Sequence, residues 1–337
     1  MSRPTYATVE QLQAATDFKT TGYETDRLRR LLESSSDLID RKFHRHFYPL
    51  TETRTYTDPP FVTPRRTTST GFFLEADLQS LSSATVDTVA QTVGDIELYS
   101  STYGPPYSWA GTTGSTIVLV GVWGYTNDSE SVGTITANIG TTTATTCACS
   151  NSALIGIGDL ITVNSERMVV TAKAQLDTGV DFSSGGTTAD MSDVAVTMDG
   201  AGLNVGEIIL ADSEKMLIVE YNSATEVATV KRAYDGSVLA THTTPSVYAP
   251  RTLTITRGAT GTTAATHTSA DAITRNIAPA QITSLCIAEA LVAYSQEASG
   301  YARTIGSGEN TREAKGVGLA AARRDASVYQ RRRWAAV

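Results

Sequence analysis

Thirteen consecutive positions of this chain occur twice. Gly158-Asp-Leu-Ile-Thr-Val-Asn-Ser-Glu-Arg-Met-Val-Val matches Gly206-Glu-Ile-Ile-Leu-Ala-Asp-Ser-Glu-Lys-Met-Leu-Ile position for position. Each copy reads strand, two-residue Asn-Ser or Asp-Ser turn, strand, which is the pattern of a tight hairpin. A second echo follows: Arg232-Ala-Tyr-Asp-Gly236 with His242 matches Arg257-Gly-Ala-Thr-Gly261 with His267. A two-stranded hairpin is marginal alone, so two related units that pack together are expected. The surrounding stretch is rich in Thr, Ala and Gly. It predicts an inserted all-β domain over 132–276 with an internal repeat at 158–170 and 206–218.

The flanks have a different period. Leu28, Leu31, Leu32, Leu38, Ile39, Phe43 and Phe47 recur at helical spacings, with charged residues on the opposite face. That stripe predicts an amphipathic helix over 24–47, roughly 35 Å long, stopped by Pro49. Thr8 and Gln11 hold capping-box positions for a shorter helix before it. Helical pattern returns at Pro279, with an apolar run from Ile282 to Tyr294, and again over about 311–332. Strand signals lie at Arg54 to Asp58, Phe72 to Leu78, Ile96 to Tyr99 and Ile117 to Tyr125. The expected fold class is α+β. A helical bundle from the two terminal segments (1–131 and 277–337), with a small β portion, would carry the large inserted all-β domain.

Charge narrows the function classes. The chain of 337 residues has a formal net charge of −8, which opposes general affinity for nucleic acid. From Tyr301 to Val337 the balance is eight Lys/Arg to three Asp/Glu, so a basic tail follows an acidic body. Arg331, Arg332, Arg333 and Trp334, with Tyr329, are candidate docking residues, since Arg and aromatic side chains dominate interface energies. The three cysteines are odd in number, and Cys147 and Cys149 are too close to bridge readily. They suggest a reduced compartment. No apolar run is long enough to span a membrane, and the N-terminus lacks an apolar signal core.

The usual chemistries find little footing. His44 and His46, two apart on a predicted helix, point to different faces and do not chelate one metal. Gly156-Ile-Gly158 lacks the third glycine and following helix of a dinucleotide loop, so it is read as the entry to a hairpin. Asp190 and Asp193 are read as loop residues. His242 and His267 are either turn residues kept by the duplication or, if the repeats pack symmetrically, neighbours. Neither enzyme activity, cofactor nor metal is expected.

The order of segments carries a resemblance. Leu31-Leu-Glu-Ser-Ser-Ser-Asp-Leu-Ile-Asp-Arg-Lys-Phe-His-Arg-His-Phe-Tyr-Pro49, then Thr53-Arg-Thr-Tyr56, resembles the head–tail connector (adaptor) proteins of tailed bacteriophages. Asp77-Leu78, Leu98-Tyr99 and Gly121-Val-Trp-Gly-Tyr125 are similar to that family's β portion, and the chain from Pro279 to its closing helices. The resemblance spans roughly residues 5–130 and 277–337 and leaves 132–276 unmatched. It implies a non-enzymatic virion protein of the neck, assembled in the bacterial cytoplasm. Such proteins form a ring, usually of twelve subunits, that docks under the portal. The ring extends the channel through which DNA passes without specific binding, and offers a platform for stopper or tail-completion proteins. On that reading Leu28, Leu31, Leu32, Leu38, Ile39, Phe43 and Phe47 belong to a subunit-packing helix, and Tyr329 and Arg331 to Trp334 dock on the portal. Two other classes are a decoration or carbohydrate-binding β protein, and a nucleic-acid-binding protein acting through the basic tail.

Overall fold

The computed structural model describes residues 3–16, 22–59, 72, 74, 76–96, 99–101, 104–107, 114–183, 186–192, 194–200, 202–298, 304–305, 312–313 and 317–330. It corrects the expected fold class. Among the described residues the protein is mostly β, with a closed six-stranded barrel, further strands and a separate four-stranded sheet; 25% is helical, and the helices form no bundle. The reason lies in where apolar side chains find partners. One buried cluster gathers on the helices, and the other four lie chiefly among strands.

The helices form a layer rather than a bundle. Helix α1 (Val9–Thr16) is capped reciprocally: Gln11 N–H donates to Thr8 Oγ1 at 3.2 Å, and Thr8 N–H to Gln11 Oε1 at 3.0 Å. Helix α2 (Gly22–Phe43) buries Leu28, Leu31, Leu32, Ile39 and Phe43. Each such side chain contributes roughly 1.5–3 kcal/mol by leaving water. The helix ends four residues before Phe47, because His44 is left-handed (φ 54°), a conformation that closes helices. Phe47 still joins the stripe, its ring 6.2 Å from that of Phe43, so spacing alone read straight through the turn. Neither His44 nor His46 is helical.

Strands β1 (Leu50–Thr57), β2 (Leu78–Val86), β3 (Val89–Gln91) and the later β6 (Thr116–Trp123) form an antiparallel sheet in the order β1-β6-β2-β3. Alternate residues of β6, Ile117, Leu119 and Trp123 among them, face a core with Phe72 and Leu74. Two short strands, β4 (Tyr99–Ser101) and β5 (Gly104–Tyr107), pair with each other.

The next ten strands form one sheet. They are β7 (Ser129–Thr134), β8 (Thr146–Ala148), β9 (Leu160–Val163), β10 (Glu166–Phe182), β11 (Ala195–Asp199), β12 (Ile208–Ala211), β13 (Glu214–Asn222), β14 (Val227–Lys231), β15 (Ser246–Thr256) and β16 (Ala272–Asn276). The ring β10-β11-β14-β13-β12-β15 closes because β15 also pairs with β10. Strands β9, β16 and β7 extend from the first half of β10, and β8 from the end of β15. The outer edges meet where Thr136 N–H donates to Ala148 O and Ser150 N–H to Thr134 O, both at 2.9 Å. Two six-stranded units therefore stand end to end and share the long strands β10 and β15.

The sharing exposes how the duplication is built. The hairpin β9–β10 turns at Asn164 (φ 53°), with Val163 opposite Glu166; β12–β13 turns at Asp212 (φ 50°), with Ala211 opposite Glu214. These hairpins lie 48 residues apart, yet the Arg–His echoes lie only 25 apart. The offsets differ because one copy is nested inside the other, between the parent's fourth and fifth strands. The chain leaves the parent along β10, completes the inserted copy, and returns along β15. Each copy has its own core, around Ile161, Val163 and Met168 in the parent and Ile209, Ala211 and Met216 in the insert.

After β16 the chain enters α3 (Ala280–Ala298), which packs on α2. The pair β17 (Thr304–Ile305) and β18 (Arg312–Glu313) precedes α4 (Val317–Ala326), which packs on α3. Arg323 holds Glu289 with two bonds, at 2.7 and 2.9 Å.

Candidate functional site

The segments scattered over the first 125 residues meet at one junction below α2. Tyr125 N–H donates to His46 O at 2.9 Å, and Trp123 Nε1 donates to Glu52 O at 3.1 Å. Gly124 is required here: its φ is 138°, and a Cβ would lie 2.3 Å from Tyr48 O. The Phe47 ring meets Tyr6, Tyr125 and Tyr329 edge-on at 5.5, 5.5 and 5.9 Å. Arg45 lies over Tyr125 and faces Asp77 at 3.2 Å, while Arg54 lies over Trp123. Burial lowers the pKa of His46, whose ring nitrogen lies 3.1 Å from Trp123 O. The N-terminal segment is tied in by Tyr6, whose hydroxyl accepts from Phe47 N–H at 3.0 Å and donates to Asp40. Burial pushes Asp40 up to about 7.

This junction absorbs residues that the sequence assigned to subunit contacts. Leu28, Leu31, Leu32, Ile39, Phe43 and Phe47 are buried in the chain's own helical core, and of that stripe only Leu38, 46% exposed, faces outward. Tyr329 packs on Phe47 and Tyr125 and donates to Gln281 Oε1 at 3.0 Å. Arg331, Arg332, Arg333 and Trp334 lie outside the described residues.

The two barrels hold a matched pair of buried ionic clusters. In the insert, Glu214 accepts Arg232 Nε and Nη2 at 2.8 and 2.9 Å, Ala233 N–H at 2.8 Å, Ala240 N–H at 2.9 Å and His242 Nε2 at 3.0 Å. In the parent, Glu166 accepts Arg257 Nε and Nη2, both at 2.7 Å, Gly258 N–H at 3.0 Å, Ala265 N–H at 2.9 Å and His267 Nε2 at 2.8 Å. Burial alone would raise both carboxyls; the five donors outweigh it and hold each at about 2. His242 and His267 do not meet; each stays in its own copy. His242 Nδ1 also faces Asp212 at 2.8 Å, so both ring nitrogens lie against carboxylates. With every lone pair of the central carboxylates engaged, these clusters clamp the turn after one strand to the hairpin beside it.

A second carboxylate pair closes the turns before the hairpins. Asp159 accepts Gly156 N–H at 2.7 Å and Glu207 accepts Asn204 N–H at 3.0 Å. Glu207 also takes Arg251 at 2.9 and 2.6 Å, and those bonds draw its pKa down against the effect of burial. Asp159, with Arg275 only at 3.6 Å, is pushed up to about 6 by burial. Sequence comparison of the two copies showed the Glu, Arg and His positions but not that they touch. The signal was present, since an acid, an arginine and a histidine recur together in both.

The thiols of Cys147, Cys149 and Cys286 are buried and unbridged, and burial pushes them up to about 12, 11 and 11. Asp190 forms a local turn with Ser192, and Asp193 lies outside the described residues. Among the described residues no group of His, Cys, Asp and Glu is arranged to hold a metal, and no helix is long and apolar enough to cross a membrane. No family model, curated protein or solved structure matches this chain.

Proposed function

We propose that this chain is a head–tail connector subunit of a tailed bacteriophage. It would form a ring under the portal that extends the DNA channel and carries a stopper or tail-completion protein. The observation that supports the reading is the junction. The segments that resemble the connector family include Phe47-Tyr48-Pro49 (the end of the run from Leu31), Thr53 to Tyr56 and Gly121 to Tyr125. Gly121 to Tyr125 is distant in sequence from the other two, and the three pack as one unit at the base of α2. A unit held by backbone bonds, edge-on ring contacts and half-buried arginines is a rigid base on which subunits can be set at fixed angles. On this reading the basic tail beyond Tyr329 reaches the portal, and the paired barrels project from the base as an elaboration.

The test is a pull-down on purified portal with full-length protein and with a chain ending at Gln330. The full-length protein should be retained at low salt and released as salt rises, because exposed charges are screened within about 10 Å at 0.1 M. The shortened chain should fold and fail to bind. Equal retention of both forms contradicts the role given to the tail, and no retention of either contradicts the connector reading.

A further inference from the structure

The nested duplication provides two faces of the same origin and different occupancy. In the parent copy, the turn Gly156-Ile157-Gly158 is covered by the chain's own N-terminal segment. Thr5 N–H donates to Gly158 O at 3.0 Å, Val9 N–H to Ile157 O at 3.1 Å, and Ile157 N–H to Glu10 Oε2 at 2.8 Å. Ile157 is 8% exposed and belongs to the helical core. The glycines permit this approach: a Cβ on Gly156 would lie 2.4 Å from Thr8, and one on Gly158 2.0 Å from Thr5 Oγ1.

The corresponding turn of the insert, Asn204-Val205-Gly206, has the same backbone anchor. Gly206 N–H donates to Ile218 O at 2.8 Å, as Gly158 N–H donates to Val170 O at 2.8 Å. Nothing among the described residues covers it. Val205 is 57% exposed, and no described residue bonds to its N–H or C=O or to Gly206 C=O. Val219, which follows Ile218, is 55% exposed, and Leu154, beside the Ala153 that neighbours Gly206, is also exposed.

We propose that the Asn204–Gly206 turn is a docking site for a segment of another protein. That segment enters as extended chain and turns into a helix, as residues 5–10 do on the parent copy. Each chain has two such faces and one N-terminal segment, so a second copy would fill this face only by stripping its own parent barrel. The occupant's chemistry follows from what differs between the faces. It offers main-chain N–H groups to Val205 O and Gly206 O and an apolar side chain to Val205 and Val219. Its first helical turn is neutral or basic rather than acidic. Lys173, which pairs with Glu10 at 2.9 Å, is replaced by Tyr221, and residues 176–250 hold eleven Asp/Glu against three Lys/Arg. Asn204 stands where the parent has Gly156, so the position of Thr8 must be a glycine in the occupant.

The probe is a peptide of residues 3–16 carrying Thr8→Gly and Glu10→Gln, added to the full chain and read by amide hydrogen exchange. Protection of residues 202–208 should rise at least tenfold at saturation and be lost in Val205→Asp, whose thermal midpoint stays that of the parent protein. Ile157→Asp, by contrast, should lower the midpoint. The unaltered peptide should protect less. No protection at millimolar peptide, or protection that survives Val205→Asp, overturns the site. So does a midpoint drop in Val205→Asp as large as that of Ile157→Asp. Equal protection by the unaltered peptide overturns the assigned chemistry.

Discussion

Replacing Glu214 by Ala tests the ionic clusters most severely. The side chains of Glu214 and Arg232 are both fully removed from solvent. The substitution strips five donors of their acceptor, two of them on the charged guanidinium. Breaking one side of a buried pair costs about 3–5 kcal/mol, because the remaining charge stays desolvated and alone. The cost should fall on the inserted barrel. Its core of Phe182, Val196, Ile209, Met216 and Val230 is distinct from that of the helices, so it can open as a local unit. Hydrogen exchange resolved by segment is the assay. Strands β12 to β14 should lose protection equivalent to about 3–5 kcal/mol while α2 and α3 keep theirs. Adding Arg232→Met to Glu214→Ala should recover about half of the loss, since an apolar pair leaves no orphaned charge. A loss under about 1 kcal/mol, or an equal loss in α2 and α3, would refute the reasoning.

Acid should act through the same carboxyls. Glu166 and Glu214 titrate at about 2 in the folded state against 4.5 ordinarily, so their stabilisation is complete above about 4.5 and is lost as pH falls toward 2. Urea midpoints across that range should decline, and less steeply in Glu214→Gln. Asp40 works in the opposite sense: raised from 3.8 to about 7, it makes stability fall as pH rises through that window. Asp40→Asn should flatten the slope between pH 4 and 7, measured by the same midpoints. Gly261→Ala should lower the thermal midpoint, because φ is +81° and a Cβ would lie 1.8 Å from Thr51 O, where the parent barrel meets β1. Such a substitution costs more than about 1 kcal/mol; an unchanged midpoint would show that the barrel and the sheet are not pressed together there.

What was legible in the sequence was local. The hairpins at 158–170 and 206–218 could be read because alternation and an Asn-Ser or Asp-Ser turn fix register within a few residues. The cap of α1 was equally plain, as Thr8 and Gln11 satisfy each other's backbone. The balance of the fold was not. The stripe of α2 is strong, and it suggested a helical bundle built from the two terminal segments. Yet a stripe states only that one face is buried; here α1, α3, α4, Tyr6 and the barrel-turn residue Ile157 complete its cluster, and most of the remaining apolar residues pair across strands. Phe47 misled for a related reason, since a side chain can continue a stripe after its backbone has turned at His44. Pairing Glu214 with Arg232 and His242 required knowing which strands are neighbours. The shrinking offset between the repeats held that information, because nesting one copy inside the other is what brings each acid to its own arginine.

The connector reading rests most directly on assembly. A cryo-EM reconstruction of the full-length protein bound to purified portal would test it. The account predicts a closed ring, with the α2 junction forming its body, the tails reaching the portal and the nested barrels on the outside of the channel. A chain that stays monomeric beside the portal, or a ring whose channel is blocked by the barrels, would contradict it.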